Sequence, residues 1–157
     1  MRCLITAILC LCLAACAPRE PAEPTPPAKT VTTPKPNPVG YFEIPVSDLD
    51  RAVRFYATVF EVQLERTVID GYDMALFPFD PDAPGAGGAL AKGDVYVPGK
   101  AGPVLYFSVP DIDTVLARAT KLGAKVLYEK KSIGENGFVA EIEDSEGNRI
   151  ALHAAAR

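Results

Sequence analysis

The sequence predicts an α+β fold of two βαβββ modules, occupying residues 39–155. Two observations carry that reading. Tyr41–Leu64 is echoed 63 residues later by Val104–Leu127, so that Val46-Ser47-Asp48-Leu49-Asp50 falls on Val109-Pro110-Asp111-Ile112-Asp113 and Leu64 falls on Leu127. Within each copy, the apolar spacing changes from two residues to helical spacing and back, the pattern of strand, helix, strand. A repeat of this kind makes each copy one supersecondary unit, and two units can enclose a cleft between them.

The elements follow in order. Val39–Val46 alternates as a strand, with Phe42, Ile44 and Val46 on one face and Tyr41, Glu43 and Pro45 on the other. Ser47 or Asp48 can cap a helix, because a short oxygen-bearing side chain satisfies a free N–H of the first turn. Ala52, Val53, Tyr56, Val59 and Phe60 then form one apolar helical stripe. Gln63–Ile69 is a strand, Asp70-Gly71 a hairpin turn, 72–79 a strand and Gly87–Ala91 a short Gly/Ala strand. Residues 92–102 read as a connector. In the second copy Val104–Val109 is a strand, and Asp111 caps a helix with the stripe Ile112, Val115, Leu116, Ala119 and Leu122. Gly123 suits its stop. Lys125–Tyr128, Phe138–Glu143 and Arg149–His153 complete the module, with a turn at Asp144–Asn148.

The first 38 residues lie outside this pattern. Met1-Arg2 is positive and Cys3–Leu13 is apolar, too short for a membrane span of roughly 20 residues, so it reads as a secretory signal. It ends Leu13-Ala14-Ala15-Cys16, which resembles a bacterial lipoprotein cleavage box with Cys16 as the lipidated residue; the alternative is an ordinary Ala-rich signal. Residues 1–16 are thus expected to be signal peptide and lipobox. Residues 17–38 carry eight prolines and few large apolar groups, so they cannot bury a core and read as a solvated tether. At about 3.1 Å per residue they reach at most roughly 70 Å. The expected address is the cell envelope, lipid-anchored, and the outer membrane facing the periplasm in a Gram-negative cell, since Ala17 and not Asp follows Cys16.

All four cysteines (Cys3, Cys10, Cys12 and Cys16) fall in the signal, which removes disulfides and thiol catalysis from the domain. The chain carries a net charge of −4 with no Lys/Arg cluster, which argues against nucleic acid as a partner.

Each helix stripe is expected to cover one face of its own sheet and leave the other face for the cleft. The residues on that second face are Tyr41 and Glu43, Gly87, Ala89 and Ala91, Val104, Tyr106 and Ser108, and Arg149, Ala151 and His153.

Three segments carry a family resemblance: Glu43–Tyr56 (EIPVSDLDRAVRFY), Val109–Asp113 (VPDID) and Asp144–Leu152 (DSEGNRIAL). In this order they resemble the vicinal oxygen chelate superfamily of glyoxalase I, the bleomycin-resistance proteins and extradiol dioxygenases. The resemblance implies two modules forming a glyoxalase-like cleft. It implies little about activity, because the fold hosts isomerases, lyases, dioxygenases and binding proteins. In metal-dependent members four strand positions supply His and Glu. By the family's motif those positions here are Tyr41, Val104, Ala151 and, approximately, Ala89. Three are aliphatic and a lone phenol is a poor ligand for a divalent ion, which wants His, Cys or carboxylates. The resemblance therefore implies that the inherited metal site is lost, and no cofactor is expected. A displaced site of Glu43, Glu141 and His153 is the rival; its bland counterpart has Glu141 facing solvent. The family commonly has Gly where Glu61 stands, after the first helix.

Single residues carry two readings each. Glu43, if walled by Tyr41, Val104, Tyr106 and Ala151, would lose water and serve as a general base or a protonated donor; otherwise Arg149 or a tyrosine hydroxyl neutralises it. His153, the only histidine, is either an acid/base or anchoring group, since imidazole changes charge near neutral pH, or a plain surface residue. Tyr41 and Tyr106 offer flat rings with polar tips to a planar ligand, or merely fill the cleft. Gly147 and Asn148 belong to a turn.

The expected function is binding or sequestration of a small organic molecule in a cleft of Tyr41, Glu43, Ala89, Val104, Tyr106, Ala151 and His153. The alternatives are a lyase or isomerase with Glu43 as base, and a structural module of the envelope. The partners expected are the small molecule, the membrane through Cys16, and a second copy if the family's dimer habit holds.

Overall fold

The computed structural model describes residues 38–156. The signal, the lipobox with Cys16 and the tether up to residue 37 lie outside the described residues. The first module runs β1 (Tyr41–Val46), α1 (Leu49–Phe60), β2 (Glu65–Ile69), β3 (Tyr72–Leu76) and β4 (Gly87–Lys92). The second runs β5 (Leu105–Ser108), α2 (Ile112–Lys121), β6 (Lys125–Ser132), β7 (Phe138–Glu143) and β8 (Arg149–Ala154). The sheets have the orders β1-β4-β3-β2 and β5-β8-β7-β6. In both, the first strand pairs in parallel with the last, Glu43 against Ala89 and Tyr106 against Ala151. The repeat read in the sequence is thus a repeat of topology.

The echoed aspartates do the same work twice. Asp48 accepts from the backbone N–H of Arg51 at 2.9 Å, and Asp111 from that of Thr114 at 2.7 Å. Each cap draws its helix to begin at the next residue, so α1 starts at Leu49, ahead of the apolar stripe that announces it. The Asp70-Gly71 hairpin has both central residues at positive φ, 52° and 82°, as its twist requires. Gly123, at φ 86°, ends α2 in the left-handed region. At the end of α1 the same conformation falls on Glu61, at φ 55°, and its carboxylate pairs with Arg118 at 2.7 Å.

Both helices and both sheets contribute to one core. Ile44, Val46, Phe55, Tyr56, Ile112, Val115, Ile142, Ile150 and Leu152 are buried in a single cluster drawn from both modules. Polar ties seal it. Tyr56 donates to the buried Asp144 at 2.7 Å, Asn148 Nδ2 to the carbonyl of Pro45 at 2.9 Å, and Arg118 Nε to the carbonyl of Val59 at 2.9 Å. Glu146 takes the N–H groups of Ser47 and Asp48, the Ser47 hydroxyl and the Arg51 guanidinium. The Asp144–Asn148 turn, expected to be structural, is the clasp that holds the modules together.

One expectation is revised. β6 runs to Ser132, well past Tyr128, because β7 offers partners along its whole length through two register shifts. The connector 92–102 is tied down: Gly99 N–H donates to Asn148 Oδ1 at 2.9 Å, and Lys100 pairs with Glu143 at 2.5 Å.

Candidate functional site

On β1, Phe42, Ile44 and Val46 turn to the core, which leaves Tyr41 and Glu43 on the outer face. Register carries that face across the sheet. Glu43 lies beside Ala89, Ala89 beside Leu76, and Ala91 beside Met74. Ala89 and Ala91 are fully buried, forming a floor under Tyr72, Met74, Leu76 and Tyr96. Tyr96 comes from the connector. Its hydroxyl donates to Glu43 Oε2 at 2.7 Å, and its ring stands edge-on to Tyr72, with centroids 5.2 Å apart and planes at 86°. That hydrogen bond, with lesser burial and charge effects, pushes the Tyr96 phenol up to about 12. Burial, then the Glu43 charge, raises the Tyr41 phenol. Tyr41 remains 49% exposed.

On the second sheet the outer face holds Tyr106 and Ser108 opposite Ala151 and His153. Arg149 grips Glu141 with two hydrogen bonds, of 2.8 and 2.7 Å. His153 Nε2 lies 2.8 Å from the carbonyl of Asn136; a carbonyl only accepts, so that nitrogen carries the proton. Ala151 is buried, Val104 half-buried just ahead of β5, and Tyr106 56% exposed.

The structure therefore brings Tyr41, Glu43 and Ala89 together, and separately Tyr106, Ala151 and His153, with Val104 at the head of that strand. It does not join the two sets. Phe42 and Phe107 meet edge to face at 6.3 Å in the core, so the residues alternating with them on β1 and β5 point away from each other. Within one chain these residues form two outward faces, not the one cleft that the repeat allows. The sequence shows which face of each strand is apolar; it does not show that the two helices pack between the sheets and turn the other faces outward. Glu43 accordingly is not walled by Val104, Tyr106 and Ala151. It is exposed, and its polar partner is a tyrosine hydroxyl, while Arg149 serves Glu141.

The residues present do not fit the metal that the fold family implies. Its four positions carry a phenol, two methyl groups and an isopropyl group. Glu43 stands on the other sheet from Glu141 and His153, and each of the three is held by a different partner. Among the described residues no three of His, Cys, Asp and Glu stand together as a metal site would need.

Two features escape sequence reading. Tyr96 lies in a segment rich in Gly and Pro with no periodicity to give its direction. The second is a groove of 490 Å³ where the modules meet, lined by Phe42, Phe60, Phe77, Leu105 and Phe107 with Arg118 at its rim. Its phenylalanines lie on the core face and read as core.

A family model described as the Glyoxalase/Bleomycin resistance protein/Dioxygenase superfamily matches residues 39–152. No curated protein sequence matches the chain. Among solved structures, an antibiotic binding protein from a Streptomyces species is 23% identical with a TM-score of 0.56, covering 79% of this chain and 100% of that one. A glyoxylase/bleomycin resistance protein/dioxygenase domain from a Frankia species is 19% identical at a TM-score of 0.61, covering 78% of this chain and all of that one. A genomically encoded fosfomycin resistance protein from Listeria monocytogenes is 17% identical at 0.56, covering 79% and 96%. At these identities the likeness is one of fold.

Proposed function

We propose that this chain, which belongs to the glyoxalase/bleomycin resistance protein/dioxygenase superfamily, binds a small organic molecule without a metal, on the outer face of its first sheet. One observation carries the reading: an exposed carboxylate, Glu43, is held by Tyr96 above an alanine floor, beside Tyr41 and Tyr72. Rings packed over the buried alanines offer an apolar surface, phenols and carboxylate fix orientation, and ligand sites commonly combine the two. The antibiotic-binding relative supports a binding role.

In this reading the second sheet's face contributes through another copy. Two outward faces in one chain cannot close on one ligand, whereas the Tyr106 and Arg149–Glu141 face of a second chain can. The domain is carried on a lipid at Cys16 through the tether 17–38, facing the cell envelope.

A lyase or isomerase using Glu43 as base draws less support. General-base catalysis contributes about 10²–10⁴-fold and needs help in stabilising an enolate. Of the polar groups that could give that help, Tyr106 and His153 stand on the other sheet, while Tyr41 shares the face of Glu43.

A thermal-shift screen of aromatic and drug-like compounds on the full-length chain tests the reading. Hits whose shift is lost in Glu43→Gln and in Tyr72→Ala are expected. Hits that survive both substitutions, or a screen in which no compound stabilises the protein, would count against it and favour a structural module.

A further inference from the structure

We propose that the ligand of the first sheet's outer face is an organic cation, its charge carried on an alkylated or aromatic nitrogen and set among Tyr41, Tyr72 and Tyr96 beside Glu43. The inference rests on the binding role proposed above and narrows it to one chemical class.

Three features of the face point the same way. Tyr72 and Tyr96 stand at 86° to each other, two walls of a corner, and Tyr41 flanks Glu43 on the same strand face. Electron-rich rings arranged around a point attract a cation to their faces within about 6 Å of the centroid. The second feature is charge. Following the register across β1, β4, β3 and β2, the outer positions include Glu43 and Glu65, and no Lys or Arg. The basic residues of these strands, Arg66 and Lys92, alternate onto the opposite face, where Arg66 pairs with Asp50. The other sheet differs, since its carboxylates Glu141 and Glu143 are already met by Arg149, Lys100 and Lys125. The third feature is that Glu43 is held by a neutral donor. A phenol fixes the carboxylate's position and leaves its charge uncompensated, which an arginine in that place would not do.

A nitrogen bearing methyl groups suits such a corner better than a bare ammonium. Its hydration is weak, so less is lost when it moves onto ring faces, and it asks those faces for no hydrogen bond.

The test uses choline and its neutral carbon isostere 3,3-dimethylbutan-1-ol, titrated into full-length protein carrying ¹³C-labelled tyrosine rings. Choline is expected to shift Tyr41, Tyr72 and Tyr96 and to bind at least about tenfold more tightly than the alcohol. Glu43→Gln is expected to abolish most of that preference. Tyr72→Ala is expected to weaken choline about 5- to 30-fold, the size of a cation–π contact. Tyr96→Phe keeps the ring wall, so choline binding is expected to survive it. Equal affinity for choline and the alcohol, with the same rings shifting, overturns the cationic assignment and leaves the binding face standing. Rings that respond only to neutral aromatic hits do the same. Rings unmoved by any compound overturn both.

Discussion

Tyr96 donates its phenolic hydrogen to Glu43 at 2.7 Å, across 53 residues of chain. The contact fastens the connector onto the face where the superfamily's first-module metal ligands would stand. The first prediction follows from its chemistry. The neutral phenol is the form that donates, so the folded protein holds Tyr96 protonated up to about pH 12. Spectrophotometric titration at 295 nm should show this tyrosine ionising late. Glu43→Gln should bring its transition back toward the ordinary value near 10, and a late phenol that ignores that substitution would remove the contact from the account.

Acid should unfasten the modules at Glu146. Burial opposes its ionisation, but hydrogen bonds from Arg51, Ser47 and the Asp48 N–H outweigh that and hold it down to about 2. A carboxyl depressed in the folded state contributes stability that is complete above its unfolded value, near 4.3, and is lost as pH falls toward 2. A shift from near 4.3 to about 2 corresponds to about 3 kcal/mol at neutral pH. Denaturation at pH 7 and pH 3 should show Glu146→Gln costing stability at the higher pH and much less at the lower. An equal cost at both would contradict the assignment.

Tyr56→Phe removes the hydroxyl that reaches the buried Asp144 while keeping the ring in the core. A hydrogen bond to a charged group is worth about 1.5–3 kcal/mol. Urea unfolding should lose that amount with an unchanged slope, because the buried surface is the same.

Glu61 occupies a left-handed conformation, φ 55°, that costs a residue with a Cβ about 1–2 kcal/mol. Glu61→Gly should therefore be more stable than Glu61→Ala by about 1 kcal/mol, both having lost the partly exposed pair with Arg118. Thermal melts of the two variants decide it, and the reverse order would mean the helix end relaxes when the ion pair goes.

Cys16→Ala is expected to release the protein from membranes and to abolish labelling by a radioactive fatty acid. Continued labelling would place the lipid elsewhere.

Much of the fold is legible in the sequence because the repeat constrains it twice. Ser47-Asp48 and Asp111 announce both helix starts, Asp70-Gly71 announces a turn that needs two positive φ values, and the alternation Phe42, Ile44, Val46 picks out the buried face of β1. Helix and strand periods are local properties, and local properties show in a linear chain. The site is less legible for a matching reason. Which faces converge depends on how the helices pack between the sheets, and that arrangement rests on long-range ties such as Tyr56–Asp144 and Asn148–Pro45. Tyr96 is placed by the anchoring of its loop at Gly99 and Lys100, contacts that no spacing rule foretells.

Binding to the first sheet's outer face by rings and carboxylate alone is open to a decisive test. The most direct measurement is the titration of a screening hit followed by the tyrosine ring signals, before and after exhaustive treatment with EDTA. Tyr41, Tyr72 and Tyr96 are expected to move together, with an affinity unchanged by the chelator. Movement confined to Tyr106 and Tyr128, or an affinity that disappears with EDTA and returns with a divalent ion, would contradict it.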